Sequence, residues 1–163
     1  MPSFEERVFS FLSKNDKAVF GRRLTDFESS VASRFLVGYH EQLQPYFEKN
    51  DSKGLELALK NLAPTVEKNV RASREGGLVF VLNGFKGLDS AKTEKISEAL
   101  IHDAKFRKTV DSELERQRVA RSSGSVAVVE PSKSFVRVVD TLSGKRKPNP
   151  VSSVLSRIFR RWK

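Results

Sequence analysis

Ser3 and Glu6 form an S-x-x-E capping box, and Phe4, Val8, Phe11 and Leu12 follow it at helical spacing. This pattern predicts a helix over 4–14 that closes near Lys14-Asn15-Asp16. Thr25 and Glu28 make a second box, with Phe27, Val31, Phe35, Gly38 and Tyr39 on one face and Leu43 beyond. That helix is expected to stop near Gln44, because Pro45 lacks the N–H that a helix interior needs. Asn50-Asp51-Ser52 offers an N-cap for Leu55, Leu59 and Leu62, and Pro64 is expected to end or kink the helix that follows.

Two readings fit residues 65–82. Val66, Val70, Gly77 and Val81 line a helix, or Gly76-Gly77 breaks it and Leu78–Leu82 is a buried strand. The helical reading is preferred, because no partner strand lies nearby. Asn83 to Gly87 reads as a turn. Asp89 or Ser90 caps a helix with Ile96, Leu100 and Ala104 on one face, which continues or restarts at Thr109 and ends near Ala120. After Arg121 the texture changes. Ser122-Ser123-Gly124-Ser125 is linker-like, and Val126–Val129 and Phe135–Val139 read as short strands split by Glu130-Pro131. The fold class is therefore mainly α: a helical domain over 1–121, a linker or arm over 122–150 that is either ordered or partly disordered, and a terminal amphipathic helix over 151–163. Minor β structure is the alternative at 78–82 and 126–139.

The terminal segment has the sharpest pattern. On a helix, Val151, Val154, Leu155, Ile158, Phe159 and Trp162 fall in one arc roughly 140° wide. Arg157, Arg160, Arg161 and Lys163 fall opposite. At about 1.5 Å per residue the helix would be roughly 20 Å long. It could lie on a bilayer but not cross one. The apolar arc is a membrane-facing or docking face, and the opposite face suits a polyanion.

Charge sharpens this picture. The 163-residue chain carries a net charge of +10. Residues 145–163 hold seven basic residues and no acid, whereas residues 1–144 hold 23 basic and 20 acidic. The body is nearly balanced and the end is polarised. Lys145, Arg146 and Lys147 precede Pro148 in a basic, proline-rich stretch that also resembles a nuclear import cluster. Together with Arg157, Arg160, Arg161 and Lys163 they are the candidate nucleic-acid-binding residues, acting by phosphate contact. A charge-dense run over 105–121 is expected to neutralise itself through Arg107–Asp111, Glu113–Arg116 and Glu115–Arg118 pairs.

Two glycines suggest a weaker site. Gly84, Lys86 and Gly87 fit the G-x-x-G loop with which KH modules clamp a nucleotide backbone, although a helix end and turn explain the same residues.

Catalytic chemistry finds little support. There is no cysteine, and His40 and His102 are the only histidines, neither with a second ligand at metal spacing. No phosphate-binding loop, nucleophile elbow or dinucleotide fingerprint is present. The chain is expected to be no enzyme and to need neither metal nor cofactor. It has no signal peptide pattern, and its longest apolar run is Leu78–Leu82, so an intracellular, cytoplasmic location is expected, with nuclear import or peripheral membrane association as variants.

The expected function is nucleic-acid binding, of RNA more than DNA, through phosphates and with little sequence specificity. Only Phe159 and Trp162 set aromatics beside the terminal charge, so that segment suits a phosphate clamp better than a base reader. An anionic membrane surface and a second copy of the chain are the alternative partners. A small, basic, cysteine-free helical profile with a polarised end is also frequent among virus-encoded accessory proteins.

Overall fold

The structure, a computed structural model, describes residues 2–85, 87–122 and 129–144. Among the described residues seven α-helices follow one another: α1 (Phe4–Phe20), α2 (Asp26–Leu36), α3 (His40–Glu48), α4 (Ser52–Leu82), α5 (Ser90–His102), α6 (Ala104–Ser122) and α7 (Lys133–Ser143). One turn of 3-10 helix, Val37–Tyr39, joins α2 to α3. There is no strand among the described residues.

Both capping boxes form. Ser3 Oγ accepts from Glu6 N–H and Thr25 Oγ1 accepts from Glu28 N–H, while each glutamate carboxylate accepts from the cap residue's own N–H. Asp51 and Asp89 cap α4 and α5 through the side-chain half alone, accepting from Gly54 N–H and Lys92 N–H. Helix α1 outruns its expected end. Asn15 departs from helical geometry, with φ −124° and ψ 17°, but the helix resumes to Phe20 and closes on left-handed Gly21. Buried Asp16 holds that kink by accepting from Lys17 N–H and Leu24 N–H. The single helix expected up to Gln44 is instead broken by the 3-10 turn, and α3 then runs through Pro45 to Glu48. Tyr46 and Phe47, just beyond the proline, pack on the core and hold that last turn in place.

Helix α4 is the spine. Its 31 residues span about 46 Å at 1.5 Å per residue. It runs through Pro64 and through Gly76-Gly77 as one helix, so Pro64 does not end it, and the strand alternative at 78–82 is corrected. An interior proline costs a helix about 3 kcal/mol. The buried stripe on either side, Leu59, Val66, Val70 and Leu78, outweighs that, at roughly 1.5–3 kcal/mol per buried side chain.

Two apolar clusters use this spine. One joins α1, α2, α3 and the N-terminal part of α4, around Val8, Leu12, Val31, Leu36, Leu43 and Leu59. The other joins the C-terminal end of α4 to α5, α6 and α7, around Leu82, Ile96, Leu100, Val110, Phe135 and Val139. Leu114 of α6 packs against both.

The second cluster corrects the remaining β expectation. Residues 126–128 lie outside the described residues, but Phe135–Val139 belong to α7. Ser132 caps this helix through Phe135 N–H, and Phe135 and Val139 lie one helical turn apart in the core. Helix α6 restarts at Ala104 rather than Thr109, because Asp103 Oδ1 accepts from Lys105 N–H and Phe106 N–H.

The glycine pair of α4 offers a test of the packing. A methyl group at Gly76 would meet nothing, whereas one at Gly77 would lie 2.9 Å from both terminal carbons of Leu114. Gly76→Ala should stabilise the fold by about 0.5–1 kcal/mol through helix propensity. Gly77→Ala should gain clearly less, since Leu114 must shift within two clusters. Urea midpoints measure the difference, and equal gains would contradict the close approach of α4 to α6.

No helix among the described residues is long and apolar enough to cross a membrane.

Candidate nucleic-acid interface

Most of the residues singled out for phosphate contact lie outside the described residues. These are Lys145, Arg146, Lys147, Arg157, Arg160, Arg161 and Lys163, and the docking face Val151, Val154, Leu155, Ile158, Phe159 and Trp162 lies there too. Of the loop candidates, Gly84 and Gly87 sit in the turn between α4 and α5, while Lys86 is outside the described residues. Gly87 adopts φ +78°, which favours glycine. The ring of Phe85 meets Phe135 edge-on at 6.2 Å, so this turn is tied into the second cluster.

The body has a polar waist. Along α4 the buried stripe runs Val66, Val70, Arg74, Leu78, so an arginine occupies a core position between the two clusters. Arg74 is 6% exposed, Glu28 3% and Asp111 1%. Arg74 Nε donates to Asp111 Oδ1 at 2.7 Å, and its Nη2 donates to Asp111 Oδ2 at 2.9 Å and to Glu28 Oε2 at 2.8 Å. Thr25 Oγ1, already the cap of α2, donates to Asp111 Oδ2 at 2.8 Å. Arg22 forks onto Glu28 at 3.0 and 2.8 Å and onto Glu67 at 3.1 and 2.9 Å. One guanidinium thus joins α2, α4 and α6. Both carboxylates are spent on arginines, which makes this network a structural clamp rather than a reactive pair.

A second carboxylate pins α7. Glu113 accepts from Ser132 N–H at 3.0 Å and Ser132 Oγ at 2.8 Å, and also from Arg116 and Gln117. The expected Glu113–Arg116 and Glu115–Arg118 pairs are present. Arg107, however, donates to the carbonyls of Leu100 and Ile101 at the end of α5, because Asp111 is already held by Arg74.

These contacts set the acid stability. Burial alone would raise the Glu28 carboxyl, but hydrogen bonds from Arg22, Thr25 N–H and Arg74, with the Arg22 charge, bring it from 4.5 down to about 2. Burial likewise opposes the lowering of Glu113, and its hydrogen bonds from Arg116, Ser132 and Gln117 prevail. Folded values below unfolded ones give stability that is complete above the unfolded value of 4.5 and is lost as pH falls toward 2. Glu28 should account for about 2–3 kcal/mol of that loss. Urea midpoints between about pH 6 and pH 3 should therefore fall steeply in the wild type and less in Glu28→Gln. A flat wild-type profile would contradict the clamp.

Two grooves flank the waist. The first, about 980 Å³, is lined by Arg22, Arg23, Arg71, Arg74, Arg107 and Lys108, with Glu28, Glu67, Glu75 and Asp111 among them. The clamp and the α5 cap occupy Arg22, Arg74 and Arg107. That leaves Arg23, Arg71 and Lys108 as cations without an acidic partner among the described residues.

The second groove, about 510 Å³, lies between α2, α4 and α6. Phe27, Val31, Phe35, Val81 and Leu114 contribute apolar surface, Arg34, Arg118 and Arg121 contribute charge, and among the described residues no carboxylate lines it. Phe80 is 63% exposed, and the Arg121 guanidinium lies over its ring at 4.8 Å from the centroid.

Sequence patterning does not reveal this second groove, because its residues come from three helices. Its local signal is Phe80, a large aromatic residue that falls outside the buried stripe of α4.

His40 stacks edge-on against Phe4 at 4.5 Å, which gives one of the two histidines a packing role. Among the described residues no three of His, Cys, Asp and Glu are grouped as metal ligands. No protein-family model, no curated protein and no solved structure matches the chain.

Proposed function

We propose that the protein is a non-enzymatic RNA-binding protein that contacts phosphates through its basic C-terminal segment, with little sequence specificity. The observation that carries this reading is the charge distribution: seven basic residues and no acid over 145–163, beside a nearly balanced body. Such a segment releases condensed counterions from a nucleic acid and finds no acidic competitor within itself. The helical body carries cations of its own in the first groove, Arg23, Arg71 and Lys108, against one acid there without an ion pair among the described residues, Glu75.

Fluorescence anisotropy with a labelled RNA duplex tests the proposal. The full chain should bind, and Arg157→Gln, Arg160→Gln and Arg161→Gln together should flatten the salt dependence by about 2–3 in log–log slope. Undiminished binding by a chain ending at Gly144 would move the site to the helical body. No binding by either would sink the RNA reading and favour the amphipathic pattern of 151–163 as a contact for anionic membranes. In that case Ile158→Glu should abolish binding to phosphatidylserine vesicles.

A further inference from the structure

We infer that the groove between α2, α4 and α6 is a base-stacking site for single-stranded nucleic acid, separate from the basic C-terminal segment. Its chemistry is mixed in a way that fits a nucleotide. Phe80 lines the groove and is 63% exposed, and the Arg121 guanidinium lies over one face of its ring at 4.8 Å, so the pair presents a stacked aromatic–guanidinium platform. Phe27, Phe35 and Leu114 give apolar surface behind it. A flat nucleobase stacks on aromatic and guanidinium planes alike.

Charge selects the anion that comes with the base. Arg34, in the last turn of α2, has no acidic partner among the described residues. Arg121 is held by the Phe80 ring and by Gln117 Oε1 at 3.2 Å, with no carboxylate. Arg118 is partly spent on Glu115. The groove thus keeps two guanidinium groups without a carboxylate partner, Arg34 and Arg121, beside its apolar wall, and no acid lines it among the described residues. This charge disfavours the chain's own basic segment as the occupant, since 145–163 carries only positive charge. A volume of about 510 Å³ lies in the usual range for small-molecule sites, about 300–1,000 Å³.

The site explains what the phosphate clamp leaves out, a means of preferring unpaired bases. It rests on the RNA-binding reading only for its physiological ligand. The assay uses the full chain and two labelled strands of about 12 nucleotides with the same phosphate count, one of oligo-adenylate and one abasic. Adenylate should bind about tenfold or more tightly than the abasic strand. Phe80→Ala should remove that preference and leave abasic binding unchanged. Phe80 is more exposed than buried, so this variant should fold normally, which far-ultraviolet circular dichroism checks. Arg34→Gln should weaken both strands together.

Equal affinity for the two strands, untouched by Phe80→Ala, would overturn the stacking site while leaving the phosphate clamp standing. Binding of neither strand would overturn both. Equal affinity combined with binding of an acidic amphipathic Leu/Glu helix that Phe80→Ala abolishes would assign the groove to a protein partner and overturn the inference.

Discussion

Arg74→Met should lower the unfolding free energy by about 3–5 kcal/mol, the range for removing one partner of a buried ion pair. Methionine fills a similar volume, so the loss is not chiefly a cavity. It comes from leaving two buried carboxylates, Glu28 and Asp111, without the guanidinium that both now accept from. Arg22 still reaches Glu28 at 2.8 Å, so Asp111 suffers more. Adding Asp111→Leu to Arg74→Met should recover a large part of the loss, because an apolar pair of that size needs no compensating charge. Domains of this size are stable by about 5–15 kcal/mol, so the single variant should be visibly compromised. Urea unfolding followed by circular dichroism reads both variants. A loss under about 1 kcal/mol would mean that water reaches the clamp and that α2, α4 and α6 are held by their apolar contacts alone.

Raising salt from about 50 to about 200 mM should weaken RNA binding by about 10³–10⁴-fold if all seven basic residues of 145–163 meet phosphates. Each neutralised phosphate contributes about 0.7–0.9 to the slope of log K on log salt. Seven contacts give a slope near −5 to −6, and salt concentration rises about fourfold over that interval. A measured slope near −2 would confine contact to two or three residues and split the segment into a binding part and a bystander. Base stacking in the α2–α4–α6 groove would lower Kd without changing the slope, because stacking releases no counterions, whereas a phosphate met by Arg34 there would add about 0.7–0.9 to it. The two kinds of contact are therefore separable in one titration series: salt reads the phosphate contacts, and the abasic strand reads the stacking.

Much of the helical scaffold is legible from local chemistry. Ser3, Thr25, Asp51 and Asp89 start their helices because each offers a side-chain oxygen to N–H groups in the first turn that have no intrahelical partner. The salt-bridged face of α6 is legible for the same reason, since its partners lie one turn apart. Arg107 shows where that reasoning stops. Its neighbour Asp111 is in reach along the helix, but a residue 37 positions earlier, Arg74, takes the carboxylate. Arg74 itself carried a readable sign. A charged residue at the i+4 position of the stripe Val66, Val70, Leu78 is either an error in the helix assignment or a buried charge with a partner elsewhere.

The boundary between helix and strand near the end of the body was not legible. Phe135-Val136-Arg137-Val138-Val139 is rich in β-branched residues, and such a run suits a strand wherever a partner strand exists. None exists among the described residues, and Glu113 presents a carboxylate at the spot where Ser132 must start a helix. Pro64 and Gly76-Gly77 are breakers by propensity, a matter of about 1–3 kcal/mol, and the burial of Leu59, Val66, Val70 and Leu78 along the same helix exceeds it.

By itself the sequence determined where most helices begin, the polarised charge of the last 19 residues and the absence of cysteine chemistry, because caps, charge and composition act over a few residues or over none. Only the tertiary structure decided that α4 is one spine, that α7 is a helix, that Arg74 is a buried clamp, and that Arg34, Phe80 and Arg121 line one groove. Those outcomes depend on which distant segments meet, and a helical period records only which face is turned inward.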